Sequence, residues 1–206
     1  NIGAFGSRFV KIAKAYGLNV EEIKVERGKA VDLAVLDKAL VADSKKEIKA
    51  VLFQQNETST GVLNPVAAIA KRVAQHGALS VVDAVSGLLA ADLQTDAWGL
   101  DVVVSGSQKA FMLPPGLSMI TLSAKAWTAY EAAKLPKFYF DLGQWKKFLE
   151  KWSTPVTPAV SLIYGLQESL KMLREEGLPA IFKRHETLAL ATRAGRLNSS
   201  SSMMKR

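Results

Sequence analysis

The chain has no cysteine and only two histidines, His76 and His185, among its 206 residues. Without cysteine it can form neither disulfide bonds nor thiolate metal sites, and two histidines are too few to favour a zinc site built on imidazole. Long apolar runs are also lacking, since none approaches the roughly 20 residues that cross a bilayer. We therefore predict neither a metal centre nor a membrane partner.

A signal peptide is not apparent either, because residues 1–17 have the amphipathic pattern of a helix without a continuous apolar core. This pattern favours a cytoplasmic protein. The formal net charge is +8, which raises the question of nucleic-acid binding. Many positive residues stand beside acids, as in 43-DSKKEIK-49. That mixing is typical of solvated helix surfaces, so we expect no nucleic-acid partner.

Helical and strand-like segments alternate along the first 123 residues. The patterns predict helices at 7–16, 31–40 and 66–77, and strands at 19–25, 49–54, 78–84, 101–107 and 117–123. Such alternation predicts an α/β fold with a mostly parallel sheet and helices on both faces. From about residue 124 the pattern turns helical. We accordingly divide the chain into an α/β domain at 1–155, a helical segment at 156–197 and a low-complexity tail at 198–206.

Three polar loops follow predicted strands, at 55–61, 83–87 and 105–110. Ligands collect at the carboxyl ends of parallel strands, so these loops are candidate site segments. Each loop alone is weak evidence, because Asp83 could be a helix cap or a turn residue. Thr58 could likewise be an ordinary turn former, and Gln108 an ordinary surface amide.

One lysine stands between a buried-looking strand and a rigid turn, in 101-DVVVSGSQKAFMLPPG-116. A lysine held in mostly apolar surroundings loses its proton more readily, and a neutral amine forms a Schiff base with an aldehyde. Pyridoxal phosphate supplies such an aldehyde and needs a carboxylate beside its ring nitrogen. Lys109 suits the first role and Asp83 the second.

These residues resemble the class V pyridoxal-phosphate-dependent aminotransferases, and within them the alanine–glyoxylate and serine–pyruvate group. The resemblance is carried by 57-ETSTGVLNP-65, 80-SVVDAVSGL-88 and 104-VSGSQKAFMLPPGLSMI-120. Weaker support comes from 3-GAFGSR-8 and 157-TPAVSLIYGLQESL-170. It implies the large domain of the fold type I pyridoxal-phosphate enzymes and a homodimer.

The resemblance also implies roles for individual residues. Lys109 is the lysine that binds the cofactor covalently, and Asp83 is the partner of its ring nitrogen. The resemblance further implies that Thr58 contacts the phenolic oxygen of the cofactor and that Gln108 binds its phosphate. It implies that Phe5 and Val85 pack on the two faces of the cofactor ring. Thr157 is implied to reach the phosphate bound by the neighbouring subunit.

The implied reaction moves the amino group of alanine or serine to a 2-oxo acid such as glyoxylate or pyruvate. Two alternatives stay open: a lyase of the same fold, and a non-catalytic remnant that only folds or dimerises. Members of the family are longer at both ends. We therefore expect this chain to lack a phosphate-binding turn before residue 1 and a small C-terminal domain with its carboxylate-binding arginine.

Overall fold

The computed structural model describes the backbone of residues 1–203 and the side chains of residues 1–195. The strands are β1 (Ala50–Gln54), β2 (Asn56–Glu57), β3 (Val62–Leu63), β4 (Leu79–Asp83), β5 (Val102–Gly106) and β6 (Ser118–Leu122). The helices are α1 (Ala4–Ala15), α2 (Leu33–Ala42), α3 (Val66–His76), α4 (Ala124–Ala132), α5 (Leu142–Leu149), α6 (Val160–Glu176) and α7 (Leu178–Met203). Of the tail predicted at 198–206, residues 204–206 lie outside the described residues.

The main sheet has the strand order β1-β4-β5-β6. Strands β1, β4 and β5 are parallel, and β6 pairs with β5 in the antiparallel direction. This arrangement confirms the predicted α/β class with a mostly parallel sheet. β6 can run antiparallel because the loop at 107–117 reverses the chain without a crossover helix.

One face of the sheet packs against α2 and α3. Phe53, Val82 and Val103 stand side by side in the strand register and are all buried. They form one apolar cluster with helix residues such as Leu36 and Val73. Burying an apolar side chain of this size stabilises a fold by about 1.5–3 kcal/mol, so this layer accounts for much of the stability of the fold.

The opposite face meets α1. Gln54 follows Phe53 in β1 and therefore points to the other side of the sheet. There its side chain lies so close to α1 that a Cβ added at Gly6 would come within 2.9 Å of Gln54 Oε1. Helices thus flank both faces of the sheet, as predicted.

The two C-terminal helices pack beside the turn that follows β5. Leu173 of α6 and Ile181 of α7 form a second buried cluster with Phe111. Ser169 of α6 also donates a hydrogen bond of 2.6 Å to the carbonyl oxygen of Phe111. Within the described residues, no helix combines the length and the apolar character that crossing a membrane would require.

Two predictions about local structure were wrong. Residues 19–25 form no strand, because no neighbouring strand offers them a ladder of hydrogen bonds; the amide of Val25 bonds only to the carbonyl of Asn1, at 3.0 Å. The loop predicted after β1 instead contains the short antiparallel hairpin β2–β3. A strand exists only when another strand pairs with it, and sequence periodicity does not identify that partner.

Candidate active site

The carboxyl ends of β1, β4 and β5 meet at one edge of the sheet. Gln54 pairs with Asp83 in the register, and Asp83 pairs with Val104. The loops beyond these ends are joined to one another. Asn56 donates a side-chain hydrogen bond of 2.9 Å to Ser86, and the hydroxyl of Ser86 donates one of 3.1 Å to the carbonyl oxygen of Asn56. The fold therefore brings the three predicted loops to the same edge.

Asp83 is the last residue of β4 and is half-buried. One carboxylate oxygen accepts a hydrogen bond of 3.0 Å from the backbone amide of Val85, the only hydrogen bond to this carboxylate from the described residues. Burial raises the pKa of Asp83; the Val85 hydrogen bond opposes this, and the nearby charge of Glu57 adds to it. The second oxygen is therefore open to a hydrogen-bond donor or a positive group from a ligand.

The bond from Val85 also agrees with the simpler interpretation of Asp83 as a turn residue, because the acceptor lies two residues before the donor. A turn alone does not need a half-buried carboxylate with a raised pKa. Both roles are compatible, since the turn uses one oxygen and leaves the other open.

The loop after β5 is held by Ser107, which is fully buried. Its hydroxyl donates a hydrogen bond of 2.7 Å to the carbonyl oxygen of Pro114 and accepts one of 3.2 Å from the amide of Leu117. Ser107 therefore closes the turn that carries Lys109. A buried hydroxyl thus reinforces the rigid turn formed by Pro114, Pro115 and Gly116.

Lys109 itself is exposed, which corrects the expectation of mostly apolar surroundings. The turn directs the ring of Phe111 into the cluster with α6 and α7, while Gln108 and Lys109 face outward. Among the described residues, none forms an ion pair or side-chain hydrogen bond with the Lys109 amine. The amine is accordingly available to a ligand.

Gln108 is exposed as well, and its side chain folds back toward the end of β5. A Cβ added at Gly106 would lie 2.8 Å from Gln108 Oε1, so the close approach depends on glycine. The amide of Gln108 therefore lies near the carboxyl end of β5, and its implied contact with the cofactor phosphate stays a prediction.

The remaining predicted contacts are spread over four segments. Phe5 is half-buried in the first turn of α1, with the guanidinium of Arg8 4.6 Å from its ring centroid. Thr58 is exposed after β2, and Val85 is half-buried in the loop after β4. Thr157 is exposed in the connection between α5 and α6. Its implied contact with a neighbouring subunit stays a prediction.

Glu57 was assigned no role from the sequence, yet it is fully buried at this edge. Its carboxylate accepts hydrogen bonds from the amides of Phe5 and Gly6, each at 3.1 Å, and from the hydroxyl of Ser59 at 2.6 Å. Burial acts to raise the pKa of Glu57, but hydrogen bonds from Ser59, Gly6 and Phe5 outweigh it and hold the pKa below its ordinary value. The only sequence signal was an acid in the polar loop at 55–61, at the start of the segment 57-ETSTGVLNP-65.

Comparison with known proteins agrees with this geometry. The profile of the family described as aminotransferase class-V matches residues 7–204. The chain belongs to this family. The resemblance predicted from the sequence is therefore confirmed at the level of the family.

The chain is similar in sequence to curated proteins that are named as aminotransferases and to a protein that is named as a hydrogenase subunit. The chain is 51% identical over 193 residues to a soluble hydrogenase 42 kDa subunit of Anabaena cylindrica, covering 93% of this chain and 50% of that protein. It is 39% identical over 194 residues to an L-aspartate–glyoxylate aminotransferase of Paracoccus denitrificans, covering 93% and 49%. The chain thus spans about half the length of the curated relatives that it matches.

A solved structure supports the fold. The alanine–glyoxylate aminotransferase from Nostoc sp. superposes with a TM-score of 0.84 at 30% identity, over 91% of this chain and 50% of that one. Class-V aminotransferases use pyridoxal phosphate. The residues present here fit that group, because Asp83 has an oxygen open to a ring N–H and Lys109 has an amine without a partner among the described residues.

Proposed function

We propose that this chain is the cofactor-binding region of an aminotransferase that uses pyridoxal phosphate. The proposed reaction moves the amino group of a small amino acid, alanine or serine, to a 2-oxo acid such as glyoxylate or pyruvate. The observation that carries the proposal is the family match over residues 7–204, which includes both Asp83 and Lys109. Glyoxylate appears in the names of two similar proteins, which supports a small 2-oxo acid as the acceptor.

The proposed roles follow from the position of each side chain. Pyridoxal phosphate, when bound, supplies an aldehyde that condenses with amines and a ring that withdraws electrons from the substrate's α-carbon. Asp83 would accept a hydrogen bond from the ring N–H through its open oxygen, and its negative charge would favour the protonated ring. Lys109 Nζ would hold the aldehyde carbon and then move a proton at the substrate's α-carbon.

The other proposed contacts bind and orient. Thr58 would hydrogen-bond the phenolic oxygen, and Gln108 would bind the phosphate. Phe5 and Val85 would pack on the two ring faces, where they exclude water from the reacting carbon. Thr157 would serve the site of a neighbouring subunit in a homodimer.

The name of the Anabaena relative does not favour a second function here. Iron–sulfur clusters are held by cysteine thiolates, and these 206 residues contain no cysteine.

Covalent labelling tests the proposal without an activity assay. The chain is mixed with pyridoxal phosphate, reduced with borohydride, digested and mapped by mass spectrometry. We expect the adduct at Lys109 at lower cofactor concentration than at other exposed lysines, and no such adduct in Lys109→Ala. Lys146→Ala is a matched control, because Lys146 is also exposed but lies on α5. Preferential labelling of any other lysine would contradict the assignment.

An assay with amino donors and acceptors tests the reaction. Alanine or serine is paired with glyoxylate or pyruvate, and the amino product is measured. In the protein that carries the activity, we expect product to form with glyoxylate and to depend on added cofactor. Labelling at Lys109 without product from any of these pairs would support cofactor binding and refute the proposed substrates.

A further inference from the structure

Glu57 is the most deeply buried acid at the candidate site, and its hydrogen bonds join two elements that are far apart in sequence. On one side are the amides of Phe5 and Gly6 in the first turn of α1. On the other side is Ser59, which donates both its amide, at 3.0 Å, and its hydroxyl to the carboxylate. These donors come from segments about fifty residues apart, so the carboxylate is a tertiary link.

The link also replaces a missing helix cap. The residue before α1 is Gly3, which has no side chain to cap the free amides of the first turn. Ser59 accepts a hydrogen bond of 3.0 Å from the amide of Ala4, and Glu57 accepts those of Phe5 and Gly6. All three of these amides are therefore satisfied from the hairpin β2–β3, and a negative charge at a helix N-terminus is favourable.

Gly3 makes this approach possible. A Cβ added at Gly3 would lie 2.5 Å from the Glu57 side chain and 2.6 Å from Ser59 Oγ. The backbone of Gly3 is extended, with φ 169°, a conformation open to any residue. The requirement for glycine is therefore one of space alone, which makes Gly3→Ala a selective way to push the two elements apart.

We propose that Glu57 is a positioning residue that fixes the α1 turn carrying Phe5 relative to the hairpin carrying Thr58. Under the proposed function, on which this inference rests, these two residues contact the cofactor from different elements. Among the described residues, neither side chain hydrogen-bonds the Glu57 carboxylate, whose donors are the amides of Phe5 and Gly6 and the amide and hydroxyl of Ser59. Glu57 acts through the Phe5 amide and through Ser59, next to Thr58 in the chain.

The surroundings of Glu57 support a role at the site beyond capping. Its charge is one of the causes that raise the pKa of Asp83, so the two carboxylates are close enough to interact. Glu57 also fixes the hairpin through its backbone, since its carbonyl oxygen accepts from the amide of Gly61 at 2.8 Å. We therefore expect a substitution of the Glu57 side chain to affect Phe5 and Ser59, which donate hydrogen bonds to its carboxylate, and the charge environment of Asp83.

The first measurement needs no cofactor. Amide hydrogen exchange and chemical shifts are recorded by NMR for Glu57→Gln and Gly3→Ala. Glutamine keeps the shape of the side chain but replaces one acceptor oxygen with a donor NH₂ group. We expect exchange at Phe5 and Gly6 to accelerate about tenfold or more, since a hydrogen bond to a charged group contributes about 1.5–3 kcal/mol, and we expect the Thr58 resonances to shift with them.

Glu22→Gln is the matched control. Glu22 is also an acid that ties down the segment before α1, since its carboxylate accepts a hydrogen bond of 2.6 Å from the Asn1 side chain, but it forms no hydrogen bond with Phe5 or the hairpin β2–β3. We expect this variant to leave exchange at Phe5 and Gly6 and the Thr58 resonances unchanged. Unmoved Thr58 resonances in Glu57→Gln would overturn the coupling.

The second measurement is the dissociation constant for pyridoxal phosphate, taken at a temperature where each variant is folded. We expect Glu57→Gln and Gly3→Ala to bind about tenfold or more weakly, and Glu22→Gln to bind as the original chain does. Ser59→Ala is a milder variant for the case that Glu57→Gln does not fold, because it removes only the 2.6 Å and 3.0 Å bonds of the Ser59 hydroxyl. It should weaken binding in the same direction.

Two results separate this inference from the proposed function. Faster exchange with an unchanged dissociation constant would show that Glu57 is merely structural, and would overturn its positioning role. Lack of labelling at Lys109 in the original chain would refute the proposed function. In that case the cofactor-free NMR comparison still decides whether Glu57 couples Phe5 to Thr58.

Discussion

The two edges of the sheet each carry an aspartate beside a strand, and the two differ in what surrounds them. At the amino edge, Asp101 accepts hydrogen bonds from the Ser80 amide at 3.0 Å and the Ser123 hydroxyl at 2.7 Å, with the Lys125 amine 3.5 Å away. At the carboxyl edge, Asp83 accepts one hydrogen bond, from Val85.

The difference separates a structural site from a candidate functional one. Buried polar groups are nearly always satisfied, and those the fold leaves open call for an explanation. Asp101 is satisfied by β4, by the start of α4 and by a cation, so it stabilises the fold. Asp83 keeps an open oxygen at the edge where Lys109 lacks a partner among the described residues. The four predictions below test this contrast.

The largest effect is expected at Lys109. Lys109→Ala should abolish the adduct that borohydride fixes between pyridoxal phosphate and the chain, because no other amine is placed in the turn after β5. The fold should be unaffected, since Lys109 is exposed. Mass mapping measures the adduct and circular dichroism the fold. Lys125→Ala, at the opposite edge, should retain the adduct. Loss of the adduct in Lys125→Ala would contradict the distinction between the two edges.

The next effect is expected at Asp83. Asp83→Asn keeps the shape of the side chain but removes the negative charge that favours a protonated cofactor ring. We expect cofactor binding to persist and transamination to fall by orders of magnitude, measured as kcat with saturating cofactor in the protein that carries the activity. Rates equal to those of the unsubstituted enzyme would refute the role of Asp83.

At the other edge, Asp101→Asn should reduce stability without affecting the site. Losing charge-assisted hydrogen bonds at a buried group costs about 2 kcal/mol, which urea unfolding can measure. Asp96→Asn is the control, because Asp96 is exposed and its side chain accepts no hydrogen bond from the described residues; it should change stability by less than about 0.5 kcal/mol. Altered cofactor affinity in Asp101→Asn would contradict the proposed division.

The smallest effect is a dependence of stability on pH. The pKa of Asp83 is raised, chiefly by burial, so the folded chain binds its proton more tightly than the unfolded chain does. Stability should therefore fall as pH rises from about 3.9, the ordinary aspartate value, through the higher folded pKa. Asp83→Asn should remove this component, so the free-energy difference between the two proteins should change within that window. A difference that moves in the opposite direction would contradict the raised pKa.

Much of the fold could be predicted because local sequence patterns indicate where strands and helices form. The strands predicted at 49–54, 78–84, 101–107 and 117–123 all formed within a residue or two of their expected bounds. β-branched runs with turn residues at both ends produced these predictions. The segment at 19–25 carried a similar pattern and formed no strand, since pairing requires a neighbour that the segment itself cannot supply.

The start of α1 illustrates the same limit. The apolar pattern predicted a helix from residue 7, whereas α1 begins at Ala4. The extra turn is capped by Glu57 and Ser59, whose bonds to Phe5 and Ala4 span 52 and 55 residues. Capping rules describe adjacent residues, so they could not reveal this cap. The site roles of Lys109 and Asp83 stay predictions, although the family that suggested them is confirmed.

The sequence by itself determined the four strands of the main sheet, the family, and the positions of Asp83 and Lys109 at or just beyond the carboxyl ends of strands. Hydrophobic periodicity and motif spacing are local properties, and they suffice for those conclusions. Only the tertiary structure decided which acids are satisfied. Asp101 accepts a hydrogen bond from the amide of Ser80, 21 residues away. Glu57 is buried against α1, whereas Asp83 has one carboxylate oxygen without a hydrogen-bond donor among the described residues. Hydrogen-bond partners and burial depend on residues that come together only in the folded chain. Local sequence patterns do not reveal these contacts, because the partners lie far apart in the sequence.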